Sequence, residues 1–188
     1  STYRPDQSES PALMPKGFFQ AELGGSTERV AKSGNSKINA LSVPGVLLRY
    51  GLSRNVELRL SAEYTITRFS SDIATITSES STDVKGVSPL TVGTKILLAK
   101  EKGALPDMAL LLSLSLPVFE NSYKSEYVGT EFRFAMTHSL GERFSLSYNL
   151  GGAWDGDQPN ATGLYTLSLG ASIVNRLGVF AEVYGFLP

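Results

Sequence analysis

Strict two-residue alternation of apolar and polar side chains is the feature that most constrains this chain. From residue 56 to residue 67 every second side chain is apolar, and charged or hydroxyl-bearing side chains stand between them. Successive side chains of a β-strand point to opposite faces, so such a segment has one apolar and one polar face. The alternation predicts nine strands, most of them 11 to 15 residues long. Their ranges are 17–29, 37–52, 55–69, 87–100, 106–119, 126–140, 143–155, 163–175 and 177–187.

The lengths of these segments and of their connections favour a membrane-spanning sheet. Strands of soluble proteins cluster near 5 or 6 residues, whereas a tilted strand needs about 9–11 residues to cross a bilayer. Short connections (51–55, 100–106, 140–143 and 175–176) alternate with longer ones (30–36, 70–86, 120–125 and 155–162). Outer-membrane barrels have short turns at one end and longer loops at the other. The sequence therefore predicts an all-β fold, a transmembrane antiparallel up-and-down β-barrel.

Two segments depart from regular alternation. Pro44-Gly45 interrupts the second strand, and the apolar residues change parity there, which predicts a β-bulge. Residues 1–16 carry three prolines among polar residues and show no alternation. We therefore expect 1–16 to be an extended periplasmic arm and 17–188 to be the barrel domain.

The polar parity of the strands predicts the side chains that line the interior. A charged residue on the lipid face costs about 2–4 kcal/mol at the bilayer midplane, so charges belong on the inner face. The predicted lumen-facing residues are Gln20, Glu22, Arg49, Glu57, Arg59, Glu63, Lys95, Glu131, Arg133 and Glu182. Because their signs are mixed, we expect neighbouring strands to pair them across the lumen.

Aromatic side chains stand where membrane girdles are expected. Amphipathic rings favour the level of the lipid headgroups, and in this sequence aromatics lie near both ends of the predicted strands. The predicted girdle residues are Phe19, Tyr50 and Phe144 at the turn end, and Phe119, Trp154 and Tyr165 at the loop end.

Composition excludes several classes of function. The 17 Lys and Arg residues balance 18 Asp and Glu residues, so no nucleic-acid partner is expected. The absence of cysteine and the presence of one histidine exclude thiolate metal sites, Cys nucleophiles and His pairs within the chain. The Asp155-Gly156-Asp157-Gln158 segment is better explained as a turn than as a calcium loop. We expect no catalytic residues, no metal, no cofactor and no enzymatic activity.

Several motifs resemble one known family. They lie at 4–9, 15–17, 50–52, 55–59, 88–90, 148–151, 154–156 and 178–185. Over nearly the whole chain the sequence is similar to the MetA-pathway phenol-degradation family. The resemblance implies a bacterial outer-membrane β-barrel and the passage of small solutes, with aromatic compounds as one candidate class. It brings no catalytic residues.

The predicted number of strands raises a question of closure. Nine strands is odd, whereas single-chain bacterial barrels have an even number. Similar proteins continue through further strands, so one expectation is a complete barrel of twelve strands with C-terminal strands beyond residue 188. The other is that a partner closes the open edge, because an unpaired edge is not tolerated in lipid.

Three functions compete at this point. The first is a passive channel or transporter for small solutes in the bacterial outer membrane. The second is a non-transporting structural subunit of a larger assembly, with the lipid bilayer and other outer-membrane proteins or lipoproteins as partners. The third is a soluble β-sandwich binding module, whose core would hold the alternating apolar side chains.

Overall fold

One antiparallel sheet makes up the regular structure of the part of the chain that is described. The computed structural model describes residues 8–31, 36–71, 80–174 and 177–187, and no helix occurs among them. In the described part of the chain, no helix is long and apolar enough to cross a membrane. The strands are β1 Phe19–Ala31, β2 Ser36–Gly51, β3 Val56–Ser71, β4 Ser80–Val87, β5 Leu90–Ala99, β6 Asp107–Leu116, β7 Gly129–Leu140, β8 Phe144–Trp154, β9 Thr162–Val174 and β10 Leu177–Leu187.

The nine predicted segments are all strands, but the predicted count of nine is wrong. The additional strand is β4, and all of it except Val87 falls in 70–86, a range predicted to be a loop. β4 pairs with the second half of β3, and β5 pairs with the first half of the same strand. Ser88-Pro89 separates them, and Pro89 has no N–H for the ladder. The sequence of β4 lacks apolar alternation, so its pairing with β3 could not be recognised locally.

The predicted β-bulge is confirmed at Pro44-Gly45. In the pairing of β2 with β3, the register passes from Ser42 directly to Gly45. In the pairing of β2 with β1, the register shifts at the same place, between Gly24 and Ser26 of β1. The extra residue exchanges the two faces of β2, which explains why its apolar parity changes at this point.

The sheet curls strongly but is open among the described residues. The strand order is β1-β2-β3-β5-β6-β7-β8-β9-β10, and β4 pairs with β3 beside β5. The two edge strands, β1 and β10, are not paired with each other. Arg49 on β2 and Glu182 on β10 nevertheless contact backbone atoms of Ala12 and Ser8, only four residues apart. Four residues span at most ~14 Å, whereas seven strand spacings in a flat sheet would span ~34 Å. The sheet therefore wraps around this segment.

Burial is inverted relative to that of a soluble domain. The face that encloses the arm, called the inner face below, contains Glu57 and Lys95 at 0% exposure and Arg49 at 2%. The other face, called the outer face, presents large apolar side chains such as Leu150 at 55% and Leu23 at 76%. The few buried apolar residues also lie on the inner face. No second sheet covers the outer side chains in the described part of the chain.

The connections only partly follow the predicted alternation of lengths. The turns 52–55 and 141–143 are short and the connection 117–128 is long, as expected. However, 100–106, predicted to be short, and 155–161, predicted to be long, have equal lengths. The predicted connections near 32–35, 72–79 and 175–176 lie outside the described residues.

Candidate functional site

A short segment before the first strand is held against the inner face. Residues 8–16, called the arm below, contain no strand. A turn follows in which Phe18 N–H donates to Pro15 O at 3.0 Å, with Gly17 at φ 80°. Glycine is favoured at this position because a type II turn requires a positive φ there. Gly17 N–H then donates to Gly51 O at 2.7 Å, and this bond directs the arm into the curl of the sheet.

The backbone of the arm lies very close to the end of β2 at Gly51. A Cβ atom added to Gly51 would lie 2.1 Å from Pro15 O, a distance at which the backbone must move. Met14 N–H donates to Glu57 Oε2 at 2.8 Å, so the end of the arm is tied to β3 as well. Glycine at position 51 therefore permits the backbone of the arm to lie directly on the end of β2.

The first charged cluster on the inner face joins β1, β2 and β3. Arg49 donates through Nε and Nη2 to both carboxylate oxygens of Glu57, at 2.8 and 2.7 Å. Arg49 Nη1 also donates to Glu22 Oε1 at 3.4 Å. A two-pronged guanidinium–carboxylate contact of this kind is among the strongest hydrogen-bonding geometries in proteins. These three predicted lumen residues do pair across neighbouring strands, as the sequence indicated.

The second cluster is completed by the arm instead of by another strand. Arg59 donates to both carboxylate oxygens of Glu9, at 2.9 and 2.7 Å. Lys95 Nζ donates to Glu9 Oε2 at 3.1 Å and to Ser10 O at 2.9 Å. Burial raises the pKa of Glu9, but Lys95 and Arg59 outweigh it and lower the pKa from 4.5 to about 2. Glu9 is therefore ionised at neutral pH.

Polar side chains of β8, β9 and β10 bind the start of the arm. Asn149 accepts the Glu9 N–H at 2.6 Å and donates to the Glu9 carbonyl at 2.9 Å. The Ser8 N–H donates to Glu182 Oε1 at 2.6 Å, and the hydroxyls of Ser8 and Thr166 are 2.6 Å apart. Asn149 thus replaces the two hydrogen bonds that a neighbouring strand would make with Glu9.

A loop covers another part of the inner face. In the connection 117–128, the Tyr123 hydroxyl donates to Thr67 Oγ1 at 2.7 Å and to Val84 O at 3.2 Å. Asn121 Nδ2 donates to Val87 O at 3.1 Å. The inner face of β3 and β4 therefore contacts this loop, while the arm lies against the inner face nearer the opposite end of β3.

Comparison with known sequences identifies the family of this chain. The family described as "Putative MetA-pathway of phenol degradation" matches residues 2–187, nearly the whole chain. The chain belongs to this family. No curated protein matches it.

All ten predicted lumen residues of this family member lie on the inner face, as the strand register shows. Arg133 pairs with Glu131 on its own strand, with Nη2 3.0 Å from Oε1. Gln20 is paired with Arg49 across β1 and β2. Glu63 is half-buried on β3. That this face lines a solute pathway stays a prediction.

The aromatic residues predicted for the girdles lie at or near strand ends, with one exception. Phe19 and Tyr50 are paired neighbours on the outer face, and Phe144 begins β8. Trp154 ends β8, and its ring centroid is 6.4 Å from that of Phe132. Tyr165 is exposed on the outer face of β9. Phe119 lies in the connection 117–128, because β6 ends at Leu116.

Two further groups have structural surroundings. Asp155 Oδ1 accepts the backbone N–H groups of Gln158 and Asp157, which lowers the pKa of Asp155 and forms the predicted turn. His138 is on the outer face, stacked on Tyr148 with 6.0 Å between ring centroids. Among the described residues no group of three or more His, Asp or Glu side chains could hold a metal ion.

The contacts of the arm were missed by sequence reasoning. Glu9, Asn149 and Thr166 were not predicted as site residues. Asn149 and Thr166 do have inner parity within regular alternation, and this is the one signal that could have indicated them. Nothing in the sequence of the arm indicates that Glu9 lies beside Arg59, which is 50 residues away in the chain.

Proposed function

We propose that this protein is a bacterial outer-membrane β-barrel through which small solutes pass passively, and that the arm restricts the pathway. The observation that carries the proposal is the inverted burial: charged side chains on the inner face are buried, and large apolar side chains on the outer face are exposed. A surface of this kind is stable against hydrocarbon, where an apolar outer face and internally satisfied backbone groups are required.

The charged interior and the family support a role in solute passage. Buried cations and carboxylates on the inner face would determine which solutes enter. The description of the family connects its members with phenol degradation. Uptake of a compound for degradation requires passage across the outer membrane, so a channel is compatible with that description. The proposal includes no catalysis, no metal and no cofactor.

Conductance in planar lipid bilayers tests the channel. With the arm in place we expect low conductance from the purified protein. Asn149→Ala removes two hydrogen bonds to the Glu9 backbone without changing the charge, so we expect more frequent openings. Gln158→Ala is the matched control, because Gln158 is an uncharged, exposed residue of the connection 155–161. Electrically silent barrels that also leave liposomes impermeable to small solutes would reject the channel.

A non-transporting structural subunit is the second candidate. It is favoured by the way in which the interior is occupied: the arm and the 117–128 loop both contact the inner face. In that role the exposed edges of β1 and β10 would bind other outer-membrane proteins. Purification from native membranes distinguishes the two, since stoichiometric partners support the subunit and an isolated, conducting protein contradicts it.

A further inference from the structure

We propose that Arg59 and Lys95 form a binding site for a small carboxylate solute, and that Glu9 of the arm occupies this site as an internal substitute for that solute. The inference rests on the proposed function, because it names the class of solute for the same pathway. The geometry around the Glu9 carboxylate and the cations of the wall support this assignment.

The geometry is that of a carboxylate receptor. Arg59 donates one hydrogen bond to each oxygen of Glu9, and Lys95 adds a third to Oε2. The planar guanidinium can donate one hydrogen bond to each of the two oxygens of a carboxylate. A neutral phenol or amide has a single, uncharged oxygen and cannot accept both bonds in this way. Lys95 is fully buried and the Arg59 side chain is 12% exposed. These contacts are therefore largely shielded from water, which strengthens them.

Two cations of the wall meet at this position. Arg59 and Lys95 lie on the neighbouring strands β3 and β5, and both donate to the Glu9 carboxylate. Arg49, the third cation of the two clusters, binds the strand carboxylates Glu57 and Glu22. Separating a carboxylate from two largely buried cations that hydrogen-bond to it is unfavourable, so the arm is exchanged for another carboxylate more readily than it is simply lost.

The neighbouring wall can bind the rest of such a solute. Asn149 presents a donor and an acceptor that now bind the Glu9 backbone, and the Thr166 hydroxyl contacts Ser8. A small carboxylate that carries a hydroxyl or carbonyl group could use the same atoms. The arm and the solute therefore compete for one site, and arrival of the solute would displace the arm from the pathway.

Binding of ¹³C-labelled acetate to the detergent-solubilised protein tests the site independently of transport. Glu9→Gln removes the resident carboxylate, so we expect it to bind acetate at least tenfold more tightly than the original protein does. Acetamide, which is uncharged and of the same size as acetate, should bind neither the original protein nor the Glu9→Gln variant. The double variant Glu9→Gln with Lys95→Gln should lose the gain. Glu142→Gln is the matched control, because Glu142 is exposed in the turn 141–143, so its loss should leave acetate binding unchanged.

A second measurement does not depend on the stability of these variants. The chain has no cysteine, so Ala12→Cys places a single spin label on the arm. High acetate should increase the mobility of this label, and equal acetamide should not. Equal acetate affinity with and without Glu9 would overturn the site, and so would a label that ignores acetate. If acetate binds as expected but liposomes stay impermeable to small solutes, the channel is rejected and the carboxylate site is supported. If liposomes are permeable but Glu9→Gln does not change acetate binding, the channel is supported and the carboxylate site is rejected.

Discussion

Acidification should release the arm, and Glu9 should account for most of the effect. The pKa of Glu9 is about 2 in the folded protein, against an ordinary value of 4.5. A carboxyl whose pKa is lowered by folding contributes stability that is complete above its unfolded pKa and is lost as the pH falls through the folded pKa. The contribution of Glu9 to arm binding is therefore complete above about pH 4.5 and declines between about pH 4.5 and 2.

The size of the effect follows from the two pKa values of Glu9. They differ by about 2.5, and each pKa unit corresponds to about 1.4 kcal/mol, so the interaction contributes about 3–4 kcal/mol at neutral pH. This corresponds to a change of roughly 300-fold in the ratio of bound to released arm. The carboxylate is only 17% exposed, so solvent weakens its contacts with Arg59 and Lys95 little.

The assay uses the spin label at Ala12→Cys while the pH is lowered from 7 to 3. We expect an immobilised label at neutral pH and a growing mobile fraction below about pH 4.5. Circular dichroism recorded in parallel verifies that the sheet is intact. In a Glu9→Gln background the pH-dependent change should be much smaller. The carboxylates of Glu57 and Glu182, which accept the backbone N–H groups of Met14 and Ser8, are unchanged in that background and account for what remains. An identical pH dependence in both backgrounds would refute the reasoning about Glu9.

Two further predictions concern the faces of the sheet and the entry of the arm. Leu60→Arg places a charge on the outer face at a cost of about 2–4 kcal/mol in lipid and should block assembly into liposomes, whereas Ser61→Arg on the inner face should be tolerated; equal assembly yields would contradict the assignment of the faces. Gly51→Ala should displace the arm, since its Cβ would lie 2.1 Å from Pro15 O, while Gly178→Ala, whose Cβ would have one contact at 3.4 Å, should not. The rate of trypsin cleavage at Lys16 measures how far the arm is displaced in each of the two glycine variants. Equal cleavage rates in Gly51→Ala and Gly178→Ala would count against the close approach at Gly51.

Much of the fold could be predicted because the alternation is local. In a strand, the environment of each side chain depends on its own position, so parity indicates the inner or outer face before any partner is known. This is why Glu57 and Lys95 were assigned to one face correctly, and why the bulge at Pro44 could be located. β4 was missed for the same reason: it pairs with β3 through backbone hydrogen bonds, and its own sequence does not alternate.

The sequence by itself therefore determined an all-β chain with long strands, a polar face and an apolar face. Only the tertiary structure decided what the polar face binds. The sequence suggested that the charges pair between strands, which holds for Arg49 and Glu57 but not for the contacts of Arg59 and Lys95 with Glu9. These contacts exist because the sheet curls until strands from β2 to β10 reach the same few residues of the arm. Curvature is a property of the whole sheet, and no local pattern of residues specifies it.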